Sequence, residues 1–134
     1  MITNGERARR WYAEVWGPGG EATVRELMAP DAVGQMEGAD VDGPEAFLAE
    51  RNRLLQVFPD LKIVTDDIIE AGDKVAIRWR VTATHLGDGL GIAPTKRPVA
   101  IRGMTWMEFR NGRMVRAWDS WNLGGLLQTL AAPQ

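Results

Sequence analysis

Val75-Ala76-Ile77-Arg78-Trp79-Arg80-Val81-Thr82-Ala83-Thr84 carries an unbroken alternation, with Val75, Ile77, Trp79, Val81 and Ala83 on one side and mostly polar residues on the other. A period of two with β-branched and aromatic residues describes a strand with one buried face. The neighbouring segments keep that period. Leu61, Ile63 and Ile68-Ile69 mark an earlier strand, which Ala71-Gly72-Asp73-Lys74 turns back into this one. Beyond a glycine-rich loop at Gly87–Pro94, Pro98 to Phe109 forms the next strand. Asn111-Gly112 is a strong hairpin turn, and Met114 to about Asn122 returns beside it. Leu123 to Leu130, interrupted early by Gly124-Gly125, reads as a short tail helix.

Towards the N-terminus the period lengthens to about 3.6. Ala8, Trp11, Tyr12 and Val15 lie on one face of a helix from about Asn4 to Val15, which Gly17-Pro18-Gly19-Gly20 stops. Glu21 to Met28 forms a second helix, ended by Ala29-Pro30-Asp31, and Ala32 to Glu37 is a short, weak strand. The stretch Gly38–Gly43 reads as a turn. Pro44 then opens a third helix, carrying Phe47, Leu48, Arg51, Leu54, Leu55 and Phe58 and closed by Pro59. Helices first and long hairpins afterwards specify an α+β fold, a single domain over residues 1–134. In it the N-terminal helices pack on a strongly curved antiparallel or mixed sheet.

Composition narrows the function. The chain has 134 residues, 45% hydrophobic and 25% charged, which is enough to bury its own core. The absence of cysteine removes disulfides, thiolate catalysis and sulfur-ligated zinc. Sixteen basic and eighteen acidic side chains, spread along the chain, leave a net charge of −2, so no nucleic-acid partner is expected. Met1–Arg10 lacks the apolar core of a secretory leader and no window has the length of a membrane span, so a cytoplasmic protein without a membrane partner is expected. One histidine and scattered acids make no metal-ligand set, and the Gly87–Gly91 loop joins two strands rather than cradling phosphate. No cofactor is expected.

Asp119 interrupts the apolar alternation Val115, Ala117, Trp121. A carboxylate on that inward face is poorly solvated, which raises its pKa into a range useful for proton transfer; the alternative is a cap or ion pair at a strand end. Strand parity puts Trp121 with Asp119 and turns Trp118 away, so a partner subunit is expected on the outer face of the sheet. His85, the only histidine, stands at the mouth of the glycine-rich loop, where it is a candidate to orient Asp119 or donate to an enolate. Tyr12, the only tyrosine, is a candidate pocket donor, and Asp40 a candidate second carboxylate whose turn setting also explains it. Trp79, Met104, Thr105, Trp106, Met107 and Trp121 are candidates for the cavity wall, although parity forbids all of them from pointing inward.

The stretches Trp79-Arg80-Val81-Thr82-Ala83-Thr84-His85-Leu86-Gly87, Gly91-Ile92-Ala93-Pro94-Thr95-Lys96-Arg97-Pro98-Val99, Glu108-Phe109-Arg110-Asn111-Gly112-Arg113 and Trp118-Asp119 together resemble the SnoaL-like polyketide cyclase group of the nuclear-transport-factor-like superfamily. The resemblance implies a conical α+β barrel, commonly a homodimer through the sheet. It implies a cofactor-independent aldol ring closure on a polyketide ester, with an aspartate of the last long strand, matched by Asp119, as acid/base. It also implies that a pocket histidine can stand on the preceding strand; here that segment reads Met104-Thr105-Trp106. Steroid isomerases of the same superfamily place a tyrosine and acids around such a cavity. The two-aspartate arrangement of epoxide hydrolases is not matched by Arg102-Gly103-Met104. The resulting expectation is a cyclase- or isomerase-like enzyme acting on an apolar or polycyclic carbonyl compound, with Asp119 and His85 catalytic and Tyr12, Trp79, Thr105, Met107 and Trp121 binding substrate. The competing expectation is a non-catalytic small-molecule binding protein on the same cone.

Overall fold

The computed structural model describes residues 1–133, in the order α1 (Asn4–Glu14), α2 (Gly20–Leu27), β1 (Met28–Met36), β2 (Ala39–Asp42), α3 (Gly43–Val57), β3 (Lys62–Ala71), β4 (Lys74–Thr84), β5 (Pro98–Arg110), β6 (Arg113–Trp121) and α4 (Leu123–Ala131). Local chemistry fixes the boundaries. A reciprocal capping box between Thr3 and Glu6 starts α1. Pro44 sits in the first turn of α3, where its missing N–H costs nothing. Asn111 and Gly112 both take positive φ, 53° and 78°, as the two-residue turn between β5 and β6 requires.

The six strands form one mixed sheet in the order β2-β1-β6-β5-β4-β3. Every neighbouring pair is antiparallel except β1 with β6, which run parallel. Two segments differ from the sequence expectation. The weak strand begins at Met28 rather than Ala32, because the chain leaves α2 already extended and the register break between Met28 and Val33 accommodates Pro30. The stretch read as a turn holds β2, a short hairpin partner of β1 with Val41 buried, and the turn itself is confined to Glu37-Gly38. Register breaks at Thr65/Asp67 and Glu108/Phe109 bend the long hairpins, so the sheet curls around the helices.

The concave face holds the core. Val75, Ile77, Trp79 and Val81 of β4 meet Met107 and Phe109 of β5, Ala8, Trp11, Tyr12 and Val15 of the first helical segment, and Phe47 and Leu48 of α3. A smaller cluster of Val57, Phe58, Ala83, Val99, Leu126 and Leu130 ties α4 to one end of the cone. On the convex face Met104, Trp106 and Trp118 are 60%, 52% and 36% exposed. Met104 and Trp106, candidates for the cavity wall from sequence, therefore lie on the wrong side of the sheet for that role. Among the described residues no helix is long and apolar enough to cross a membrane.

The face assignment carries a stability contrast. Ile77→Ala removes a fully buried branched side chain and is expected to cost about 2–5 kcal/mol. Ile69→Ala, on an exposed position of β3, is expected to change stability by about 0.5 kcal/mol or less. Urea denaturation of the two variants measures the difference.

Candidate active site

Antiparallel pairing of β5 and β6 sets Thr105 directly opposite Asp119. On the other side of β5, Trp79 of β4 pairs with Gly103, two residues before Thr105 and on the same face. A Cβ at position 103 would lie 2.6 Å from the Trp79 ring, so the glycine is what lets the indole lie flat across β5. Trp79 Nε1 then donates to Thr105 Oγ1 at 2.9 Å. Tyr12, delivered by the buried face of α1, donates its hydroxyl to the same oxygen at 2.6 Å, and its ring stacks on Trp79 with centroids 6.5 Å apart.

Thr105 in turn donates to Asp119 Oδ1 at 2.6 Å. A threonine hydroxyl has one proton and two lone pairs, so with two donors and one acceptor around it Thr105 is saturated. The direction of every bond follows. Trp79 is only a donor, the tyrosine gives its proton to Thr105, and the threonine proton has nowhere to go but the carboxylate. Burial pushes the Asp119 carboxyl from its ordinary value near 3.8 up to about 6; the Thr105 hydrogen bond works against that rise, and the charge of Glu37 adds to it. Burial, with the neighbouring Asp119 charge, pushes the Tyr12 hydroxyl well above its ordinary range, so Tyr12 stays a proton carrier.

These groups face a cavity of about 260 Å³, near the small end of ligand pockets, which run from about 300 Å³ upward. Trp11, Phe47, Trp79, Val81, Met107 and Trp121 supply apolar wall, and Leu123, Leu126 and Leu127 of α4 close one side. The polar lining is sparse. Besides Asp119 and Thr105 it includes Glu37 at the end of β1 and the paired Glu50 and Arg53 on α3.

Six of the seven residues singled out from sequence thus surround one space: Asp119, Tyr12, Trp79, Thr105, Met107 and Trp121. His85 does not join them. Its ring is fully buried against Phe58, with Nδ1 accepting from the Thr95 backbone N–H at 3.2 Å, and it is not part of the cavity wall. The cause is the chain path: His85 follows the last residue of β4 and turns into the end cluster, away from β6. Asp40 is exposed on β2 and lies outside the wall as well; the further carboxylates of the cavity are Glu37 and Glu50, the latter paired with Arg53. Sequence reasoning missed Glu37 because only the parallel pairing of β1 with β6 brings it near Asp119, and no local pattern announces a parallel neighbour. Among the described residues no group of three or more His, Asp or Glu side chains is placed to hold a metal ion.

Comparison with known proteins bears on the fold and the family. A family model described as SnoaL-like polyketide cyclase matches residues 6–130. No curated protein matches the chain. A candidate SnoaL-like polyketide cyclase from Jannaschia sp. CCS1 superimposes with a TM-score of 0.90 at 23% identity, covering 100% of this chain and 99% of that one. AclR, a candidate hydroxylase from Streptomyces galilaeus, gives 0.80 at 29% identity, with 98% and 85% covered. IdmH, a candidate polyketide cyclase from Streptomyces antibioticus, gives 0.79 at 29% identity, with 95% and 97% covered. The conical α+β fold is common to all of them.

Thr105→Val keeps the shape of the hub and deletes its bonds. Asp119 loses the interaction that lowers its pKa, so its titration midpoint should rise above about 6 in a carboxyl carbon NMR titration. The orphaned tyrosine and tryptophan donors should cost about 1–3 kcal/mol each in denaturation experiments.

Proposed function

We propose that this chain, which belongs to the SnoaL-like polyketide cyclase family, uses Asp119 as the general base that removes a proton next to a carbonyl of an apolar small molecule, forming an enolate for ring closure. The observation that carries this reading is the Asp119 carboxyl held by one oxygen in a mostly apolar cavity, with a pKa raised to about 6. Thr105 fixes Oδ1. Oδ2 accepts no hydrogen bond from the described residues and is the oxygen free to meet a C–H proton. A base poised near neutrality is largely ionised at pH 7 yet strong enough to take a carbon-bound proton.

The proton inventory shapes the rest of the step. The C–H electrons pass into the enolate, the enolate carbon attacks a second carbonyl carbon, and the new alkoxide takes back the proton that Asp119 holds. Tyr12 has one hydroxyl proton, and its hydrogen bond is donated to Thr105. It therefore serves as part of the frame that aims Asp119, rather than as the enolate donor suggested by sequence. The flat indoles of Trp79 and Trp121 suit an aromatic or polycyclic ligand. The same reading assigns the exposed convex patch of Met104, Trp106 and Trp118 to a second copy of the chain.

Asp119→Asn keeps the acceptor for Thr105 and removes the base. Across a panel of carbonyl-rich substrates, turnover should fall by about 10²-fold or more while ligand binding persists; unchanged turnover would remove the assignment. In the unmodified protein kcat/KM should rise with pH through about 6, as the carboxylate forms.

Stability should run the other way. Asp119 binds its proton more tightly folded than unfolded, so its contribution is fully present below pH 3.8 and is lost as pH rises through about 6. Asp119→Asn should therefore unfold at higher denaturant than the parent at pH 7–8, by up to about 3 kcal/mol, with the advantage gone below about pH 4. Equal stability at pH 8 would show that the carboxylate is better solvated than its position requires.

A further inference from the structure

His85 plays no part in the cavity, yet its ring is fully buried and the loop of residues 85–97 is built around it. Its Nδ1 accepts from the Thr95 N–H and stands 3.0 Å from the Thr95 hydroxyl. Its backbone N–H donates to the Arg97 carbonyl at 3.0 Å, and its carbonyl accepts from the Lys96 N–H at 2.9 Å. The far limb of the loop is fixed to the end of α3, where the N–H groups of Leu86 and Gly87 both donate to the Val57 carbonyl at 3.0 Å. A Cβ at Gly87 would fall 1.9 Å from the Gln56 carbonyl oxygen, so only glycine allows that approach. These bonds aim the Arg97 side chain at the C-terminal end of α4. There its guanidinium donates to the carbonyls of Thr129, Leu130 and Ala132, groups that have no partner within a helix.

The rest of α4 is lightly held. It joins no strand ladder, and its first turn contains Gly124-Gly125, capped by the Asn122 side chain accepting from the Gly125 N–H at 2.8 Å. Its apolar face does two jobs. Leu126 and Leu130 pack into the end cluster, while Leu123, Leu126 and Leu127 form cavity wall. Leu123 also abuts the β1–β2 turn, where a Cβ on Gly38 would lie 3.0 Å from its Cδ2. A helix with glycines at one end, one arginine at the other and the cavity behind it has the build of a door.

We propose that α4 is a hinged wall of the cavity, pivoting at Asn122–Gly125 and latched by Arg97, and that His85 is the positioning residue that holds the latch in place. Opening admits and releases the ligand; closure completes the apolar wall. The device is independent of what Asp119 does to a bound molecule.

Hydrogen exchange and ligand kinetics test it together, with prodan (a neutral naphthyl ketone) as the probe. Arg97→Gln should speed amide exchange across residues 123–131 about tenfold, leaving β4 to β6 protected. It should raise the prodan association and dissociation rates by similar factors, so that Kd changes less than twofold. His85→Phe, which keeps the ring packed on Phe58 but removes the Nδ1 acceptor, should shift both readouts in the same direction. Gly124→Ala has room for its methyl, with only the Asn122 side chain near at 3.8 Å, and should slow both readouts severalfold. Neither readout involves turnover, so this result stands apart from the fate of the acid/base assignment. Unchanged exchange in 123–131 for Arg97→Gln overturns the latch. Faster exchange with unchanged prodan rates, or no binding of prodan to the parent protein, overturns the door. Should Arg97→Gln fail to fold, an unslowed Gly124→Ala overturns the hinge by itself.

Discussion

The hydroxyl of Thr105 is where the architecture and the chemistry meet. It accepts hydrogen bonds from Tyr12 on α1 and Trp79 on β4, and donates one to Asp119 on β6. Four elements, β5 included, are therefore referenced to one buried oxygen. Buried polar groups are costly when unpaired and directional when paired, so this hub does what apolar packing alone does not. It sets the rotation of the carboxylate as well as its position. The helix must arrive with Tyr12 inward, β4 must lie in register with β5, and Gly103 must leave room for the indole.

That constraint explains why the carboxylate survives in a place hostile to it. Asp119 sits among aromatic and aliphatic side chains, held by a single neutral hydroxyl. Among the described residues no cation pairs with it, and Arg53, the arginine on the cavity wall, is paired with Glu50. An arginine beside Asp119 would stabilise the fold and depress its pKa, making it a poor base. The arrangement instead trades stability for basicity, as functional sites commonly do. Thr105 limits the trade, because its hydrogen bond favours the ionised form and keeps the pKa near 6 rather than higher.

Much of this was legible in the sequence, and the reasons are local. The alternation from Val75 to Thr84 named the face that Trp79 shares with the core, and the parity of Ala117, Asp119 and Trp121 named the face of the carboxylate. Period and turn chemistry are properties of neighbours along the chain, so one sequence suffices to read them. What lay beyond reach depended on contacts distant in sequence. The pairing of β1 with β6 is parallel and has no hairpin turn to announce it, so no local signal marks Glu37, and the four residues of β2 are too short to show a period. His85 is a catalytic candidate by residue type and by its place at the mouth of the glycine-rich loop, yet its ring lies outside the cavity wall. Its buried ring serves the loop instead, and nothing short of the path after Thr84 distinguishes the two roles.

The segment Met104-Thr105-Trp106 lacks the histidine that the family resemblance allows there, and the geometry gives that difference a physical meaning. A histidine near the base can carry a proton of its own and change charge near neutral pH. Thr105 cannot; it transmits orientation without titrating, and Tyr12 beside it is held neutral, so Asp119 is the one carboxyl of the hub. A base without a titrating partner must return the proton it takes. On the proposed reading, proton removal and proton return balance on the Asp119 carboxyl, which is the stoichiometry of an aldol closure or an isomerisation. In that reading a fixed hydrogen-bond hub, standing where a second titrating group is possible, aims the carboxylate without adding a proton of its own to the step.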